Sequence, residues 1–337
     1  MRPRLARHKA DLLIALGLLL LPLLLFWPVV LGDRTLLPAD NLLAVEPWQS
    51  AATQFGASAS PIPHNKLLDD LVLENYPWKK FILESLHARQ IPLWNPYQFA
   101  GIPFLAAGQH SALYPFSIIF TLIPLPRAYG VFTVAQFFLA GLFTYTFLRV
   151  LGLRRLSALC GAVVYELSLF MVVSVVFTMI IAGAAWLPLI LTAIELMARR
   201  QPALGGRPAT LPWLTLGAAA LGFQILAGHV EVTYYTLLIA GAYSAWRLVG
   251  LWLSHRKDRE GHKAETENQP ISAPDAPDRP FQGIAIQILQ RASALAALFF
   301  LGLLLGAIQL MPLYELVRNN FRSGSATFDQ IMGWAYP

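Results

Sequence analysis

The chain has 337 residues, of which 56% are hydrophobic and only 13% charged, with a mean hydropathy of +0.53. Soluble globular chains carry roughly a quarter charged residues, so this composition cannot cover a water-facing surface of that size. It excludes a soluble enzyme and a disordered chain, and a single cysteine excludes a disulfide scaffold.

The first predicted element is a span over 12–31, directly after the basic stretch Met1–Lys9. Its length matches the ~20 apolar residues that a membrane-crossing helix needs. A secretory leader has a core of only about 7–15 residues, so the run reads as a retained first helix. Further spans are predicted near 128–148, 156–175, 183–198, 210–227, 232–253 and 284–311, giving seven and an all-α polytopic membrane protein. The lone Cys160, inside an apolar block, reads as a small packing residue.

With the N-terminus inside, the basic residues sort to one side. Arg2, Arg4, Arg7 and Lys9 fall inside, as do Arg149, Arg154, Arg155, Arg199, Arg200 and Arg207. Arg247 and the cations of 254–283 join them, with Arg291 just inside the last helix. This inside-positive bias accounts for the net charge of +6, and no nucleic acid partner is needed to explain it. Residues 254–283 are polar, charged and proline-containing, which predicts a disordered cytoplasmic linker. Otherwise the chain reads as a single transmembrane domain.

Residues 32–127 form a large first loop, placed outside by the same orientation. Apolar residues at Leu68, Leu71, Val72, Tyr76, Phe81, Ile82 and Leu86 have roughly helical spacing. Ser111–Leu125 is apolar but short and broken by prolines, which suits an interfacial or re-entrant helix. Three carboxylates stand out: Asp40 in LPADN, then Asp69 and Asp70 in NKLLDDLVLENYPW. An ionised carboxylate at a membrane face can accept a proton from an attacking hydroxyl. It can also help hold a divalent cation, Mg or Mn, against phosphate oxygens. The plain alternative is a carboxylate that caps or solvates the loop helix. The nearby Tyr76, Trp78, Trp94, Tyr97 and Tyr114 fit an interfacial aromatic belt, or a set of faces on which a sugar ring stacks.

Elsewhere, Glu166 falls inside the third span, as a proton or cation pathway or as a neutral carboxyl bonded to a neighbouring helix. Glu195 and Arg291 lie near inside ends and can snorkel. No glycine-rich phosphate loop, HExxH pair, nucleophile elbow or CxxC is present.

The block NKLLDDLVLENYPWKKFILESLHARQIPLWNPYQFAGIPFLAAGQHSALYPF resembles the first external loop of YfhO-like bacterial membrane proteins of the C-type (GT-C) glycosyltransferase superfamily. Ala185–Leu189, Gly228–Tyr235 and Gln309–Leu316 are similar to later stretches of that family in order and depth. The resemblance implies an integral protein of the bacterial cell membrane, embedded in membrane lipids and serving the cell envelope. It implies an inverting transfer, outside, of a sugar from a polyprenyl-phosphate donor to a glycan or lipid acceptor. The acidic residue maps to Asp70, with Asp69 and Asp40 as neighbours. His229, Arg318 and Arg322 would meet the donor phosphate, while Tyr76, Trp78, Trp94, Asn95, Tyr97 and Gln109 would contact sugar or acceptor. Asp69 stands where the pattern has Ser, Glu74 near a Gln, and Val230-Glu231 where it has Pro-Gln. Family members continue through more spans, so the resemblance is to an N-terminal part. The rival readings are a transporter or lipid flippase built on Glu166, and a non-catalytic membrane protein.

Overall fold

A computed structural model describes residues 2–56, 65, 68–199, 210–267 and 279–319, and these are overwhelmingly helical. Helix α1 (Arg2–Leu25) is followed by the single turn α2 (Trp27–Val30), the bend falling at Phe26 just before the helix-breaking Pro28. The loop then carries a 3-10 turn at Ala39–Ala44 and a π-helical turn at Leu71–Asn75 that runs into α3 (Tyr76–His87). The two-residue strands β1 (Trp94–Asn95) and β2 (Ile102–Pro103) pair antiparallel. Short helices α4 (Phe104–Ala107) and α5 (Ile119–Leu122) complete the loop. The bundle follows: α6 (Leu125–Val150), α7 (Arg155–Glu166), α8 (Leu169–Val173), α9 (Thr178–Ala184), α10 (Leu187–Ala198) and α11 (Thr210–Leu226). Then come α12 (Val230–Glu267), α13 (Arg279–Leu305) and α14 (Ala307–Arg318).

Among the described residues, 5 helical stretches are long and apolar enough to cross a membrane: Leu125–Val150, Arg155–Val176, Thr178–Ala198, Val230–Ser254 and Ile286–Leu305. They match five predicted spans. Of the other two, 210–227 becomes the apolar but shorter α11, 17 residues long, and 12–31 is divided by the bend at Phe26. Two of the five are interrupted. Arg155–Val176 breaks after Glu166, where the Ser168 hydroxyl caps α8 by accepting from the Met171 amide. Thr178–Ala198 is re-started at Leu187–Pro188, a place where proline is tolerated because the first-turn amide has no partner to lose.

The side chains are sorted inside out relative to a soluble protein. Leu12, Leu24, Val164, Leu169, Leu238, Trp246, Leu289 and Phe300 are exposed, whereas Thr133, Gln136, Glu166, Glu195, Gln224 and Gln309 are buried. That arrangement belongs to a membrane protein, since polar groups face protein and apolar ones face hydrocarbon. In lipid, helices associate through close packing rather than hydrophobic expulsion, so small residues mark the contacts. The α11–α13 seam shows it: Leu298 and Leu305 sit against Gly217 and Gly222, and Leu221 and Ile225 sit against Gly302 and Gly306. Cys160, by contrast, lies on the exposed side of α7 and fills no packing position.

Helix backbone extends further than the composition of 254–283 predicts. α12 continues to Glu267 and α13 begins at Arg279, and Lys, Arg and Glu are good helix formers. The middle of that segment, 268–278, lies outside the described residues.

The two ends of the bundle differ. One is capped by the loop, whose Leu71, Tyr114 and Phe120 join the same buried cluster as Phe132, Trp186, Ile190 and Leu221. The opposite end is ionic. Buried Glu195 pairs with Arg199 and with Arg247 Nε at 2.8 Å, and accepts from the Tyr243 hydroxyl at 2.7 Å. Asp11 receives a two-pronged contact from Arg155, Nε at 2.8 Å and Nη2 at 3.0 Å.

Candidate functional site

The loop is latched to the bundle by backbone and amide contacts that no local pattern reveals. Gly108 and Gly228 have positive φ, +76° and +91°, and a side chain on Gly228 would fall on the Gly108 carbonyl oxygen. Around that contact, the Ser111 hydroxyl donates to the Ala227 carbonyl at 2.7 Å and Gln309 Nε2 donates to the Leu105 carbonyl at 2.8 Å. Trp186 Nε1 donates to the Tyr114 hydroxyl at 3.0 Å, which itself donates to Gln136 at 2.8 Å. The stretches around 108–114, 186, 228 and 309, far apart in sequence, thus meet on one cap.

Inside the loop sits a pair that the sequence did not announce. Lys79 is 2% exposed, donates to the His110 carbonyl at 2.6 Å, and lies over the Phe120 ring at 4.4 Å. Among the described residues no carboxylate is recorded against it, and burial pushes its ammonium down to about 7. His110 is fully buried and stacked on Phe104 at 4.1 Å. Its Nδ1 accepts from the Ala112 amide at 3.0 Å, so Nε2 carries the proton and donates to the Phe104 carbonyl at 2.8 Å. Burial holds that neutral ring down to about 4.

These two groups make loop docking acid-sensitive. The free-chain imidazole takes a proton near 6.5 and the docked one only near 4, so the histidine's contribution is complete above 6.5 and lost as pH falls towards 4. The loss amounts to about 3 kcal/mol for the histidine. Lys79 adds in the same direction, since docking strengthens as pH rises from about 7 towards 10.5. Amide-exchange protection over 104–112, corrected for intrinsic rate, is expected to fall between pH 7 and pH 4.5. Protection indifferent to pH would refute this account of the buried pair.

The π-helical turn Leu71–Asn75 places its residues on two different surfaces. One side opens a narrow cleft of about 40 Å³ lined by Asp70, Glu74, Trp78 and Gln109, with Val176, Phe177 and Met179 from the α8–α9 connection as the far wall. Asn75, at its base, is fixed by the Tyr129 hydroxyl at 2.9 Å. Burial, and then the neighbouring Asp70 charge, raise the Glu74 carboxyl above its ordinary value. The other side of the turn faces an apolar cavity of about 670 Å³. Val72, Leu73, Tyr76 and Trp48 form its walls and Lys80 stands at its margin.

The anticipated residues therefore divide between the two surfaces. Asp70, Trp78 and Gln109 share the cleft, while Tyr76 lines the apolar cavity instead. Asp69 accepts from Asn41 Nδ2 at 2.6 Å and so ties the turn at Ala39–Ala44, which contains Asp40, to the start of the site helix. Asn95 is buried and shares the Gln98 side-chain oxygen with Trp78, whose Nε1 donates at 2.9 Å. Trp94 and Tyr97 are exposed.

Compared with known proteins, the chain matches no family model, no curated protein and no solved structure. The site has to be read from its own geometry.

His229 follows Gly228, the glycine that meets the Gly108 carbonyl. Its Nδ1 accepts from the Val232 amide at 3.3 Å and lies 3.2 Å from Glu231, and burial lowers its affinity for a proton more than Glu231 raises it. Arg318 ends α14 and lies 5.8 Å over the Tyr314 ring. Arg322 lies outside the described residues. Among the described residues no group of three or more His, Cys, Asp or Glu converges. A divalent ion would have the carboxylates of Asp70 and Glu74 and would need substrate phosphate for further ligands, which suits Mg or Mn bound with its substrate.

Proposed function

We propose that the chain is a membrane glycosyltransferase of the C type, with the capped end of the bundle facing outside and the N-terminus in the cytoplasm. Seven spans would carry the loop, with α1 and α11 counted beside the five long apolar stretches. The observation that carries the reading is the division made by a single helical turn. A small cleft edged by the carboxylates of Asp70 and Glu74 lies on one side of it, and an apolar cavity large enough for part of a lipid chain lies on the other. A polyprenyl-phosphate sugar needs both environments within one molecule's length, and the acceptor is a glycan or lipid.

In the transfer, an acceptor hydroxyl oxygen attacks the anomeric carbon as the bond from that carbon to the phosphate oxygen breaks. Polyprenyl phosphate leaves with the bonding electrons, the hydroxyl proton passes to the Asp70 carboxylate, and the configuration inverts. Glu74, whose carboxyl is raised above its ordinary value by burial and then by the Asp70 charge, lines the same cleft beside Asp70. Trp78 supplies an aromatic face and Gln109 an amide to orient the sugar. His229, with Arg318 and Arg322 further along, offers donors to the leaving phosphate.

The second reading, a transporter, rests on Glu166. It is fully buried at a helix break, neither of its oxygens has a hydrogen-bond partner among the described residues, and it packs against Gly141. One paired experiment separates the two. In proteoliposomes, Asp70→Asn is expected to lower sugar transfer by about 10²–10⁴-fold, the span of general-base contributions, with donor binding kept. Glu166→Gln is expected to leave transfer within a few-fold. Unchanged transfer in Asp70→Asn overturns the enzyme reading, and solute uptake abolished by Glu166→Gln favours the transporter.

A further inference from the structure

The hairpin of the loop carries an apolar surface that the proposed transfer does not use. From Ile91 the chain runs out and back through β1 and β2. Its amide side chains, Asn95 and Gln98, are engaged with their neighbours. Asn95 Nδ2 and Trp78 Nε1 both donate to Gln98 Oε1, and Asn95 Oδ1 accepts from the Tyr97 amide at 3.0 Å. What remains outside is Ile91, Leu93, Trp94, Tyr97 and Phe99, all more than half exposed. They belong to none of the five spanning stretches, so the lipid around the bundle helices does not account for them.

The backbone holds Phe99 outward against its own preference. Phe99, Ala100 and Gly101 have successive positive φ values of +48°, +61° and +118°. Left-handed backbone is unfavourable for any L residue and an outlier for a bulky one. Trp94 braces this turn, since its indole lies so close to Gly101 that a side-chain carbon there would stand 2.6 Å from the ring. Phe99 itself is 91% exposed. In water the strain would serve only to wet a phenyl ring, and an outlier of this kind points to a contact made elsewhere.

The position of the hairpin selects that contact. Leu305 ends the spanning stretch Ile286–Leu305, and Gln309 of α14 follows four residues later, about 6 Å further at helical rise. Gln309 Nε2 donates to the Leu105 carbonyl at 2.8 Å, and the adjacent Phe104 amide donates to the Leu93 carbonyl at 2.8 Å. Two hydrogen bonds thus tie the base of the hairpin to a residue at headgroup depth, a layer about 5–8 Å thick on each side of the hydrocarbon. Charge agrees with that placement. Residues 85–110 contain no Asp or Glu, while His87 and Arg89 are exposed and cationic or neutral, so nothing there repels an anionic headgroup. A sugar site would set polar groups beside its aromatic faces, and here the two amides are already engaged. We propose that the hairpin inserts Phe99, with Trp94 and Tyr97 at headgroup level beside it, into the leaflet at the loop end. Trp94 and Tyr97 then meet lipid rather than sugar. The inference rests on the membrane-spanning bundle and is independent of the transferase reading.

The test puts a nitroxide on the full chain in phosphatidylcholine–phosphatidylglycerol nanodiscs. Cys160→Ser removes the native thiol, Phe99→Cys carries the label, and Glu84→Cys, on the exposed side of α3, is the aqueous reference. Collisions with molecular oxygen, which concentrates in the bilayer, should be several-fold more frequent at 99 than at 84. Collisions with a water-soluble nickel chelate should be about tenfold fewer, because entry into the apolar phase costs an unpaired polar group its hydration. Tyr97→Cys supplies a second reading should a label at 99 disturb the strained turn, with the same order and a smaller ratio. Nickel exposure at 99 and 97 equal to that at 84 leaves the hairpin in water, where a glycan could reach it, and overturns insertion. Protection from nickel and oxygen alike means that protein covers the hairpin, and overturns insertion in favour of a partner surface.

Discussion

Replacing Gly228 with alanine is expected to unseat the loop from the bundle. Two penalties add there. A positive φ of +91° is strained for any L side chain, about 1–3 kcal/mol. The new methyl would also overlap the Gly108 carbonyl oxygen, and a backbone-to-backbone contact has no rotamer that relieves it. The chain must separate, and the hydrogen bonds from Ser111 to Ala227 and from Gln309 to Leu105 separate with it, each contributing about 1 kcal/mol. Gly152 provides the control, because it has φ +97° but nothing within 4 Å of a built side-chain carbon. Gly152→Ala should therefore show the strain alone. Amide exchange over 104–114 should rise sharply in Gly228→Ala and stay unchanged in Gly152→Ala. If both variants lose the same thermal stability and neither exposes the loop, the latch is not the contact that holds it.

That latch also shows what the sequence could and could not reveal. The long apolar blocks were legible because membrane depth dictates their length, and the five stretches long and apolar enough to cross a membrane lie where hydropathy put them. Helical spacing in 68–86 was equally legible, since periodicity is a local property. The cap was not, because its bonds join residues 116 and 204 positions apart and rest on backbone conformation rather than residue type. Lys79 illustrates the same limit. A lysine on a loop helix reads as solvent-facing, and only the approach of Phe120 and the His110 carbonyl makes it a buried residue. Among the three carboxylates, adjacency in sequence hid a separation in space. One helical step turns Asp69 towards Asn41 and Asp70 towards the cleft. The six residues expected to hold a sugar divide for a similar reason, since Tyr76 and Trp78 are two apart on a helix and point to different surfaces.

At the other end of the molecule, Glu195→Leu is expected to be among the most damaging single substitutions in the bundle. The carboxylate is fully buried and serves two guanidiniums and a tyrosine hydroxyl at once. Deleting it leaves Arg199 and Arg247 facing each other beside apolar helices, and breaking such a pair by removing one partner costs about 3–5 kcal/mol. Arg199 keeps one contact, the Val150 carbonyl at 2.9 Å, and its partly exposed head can reach the membrane surface. Arg247 has less freedom, being 23% exposed with its Nε 2.8 Å from a Glu195 carboxylate oxygen as an ion pair. The cost should therefore come mainly through Arg247, and the double variant Glu195→Leu with Arg247→Met should recover most of it. Thermal unfolding of the single and double variants in detergent measures the coupling directly. A neutral Glu195→Leu, or a double variant that is less stable than the single one, would mean that water already screens the cluster and that the buried charge does not hold α10 to α12.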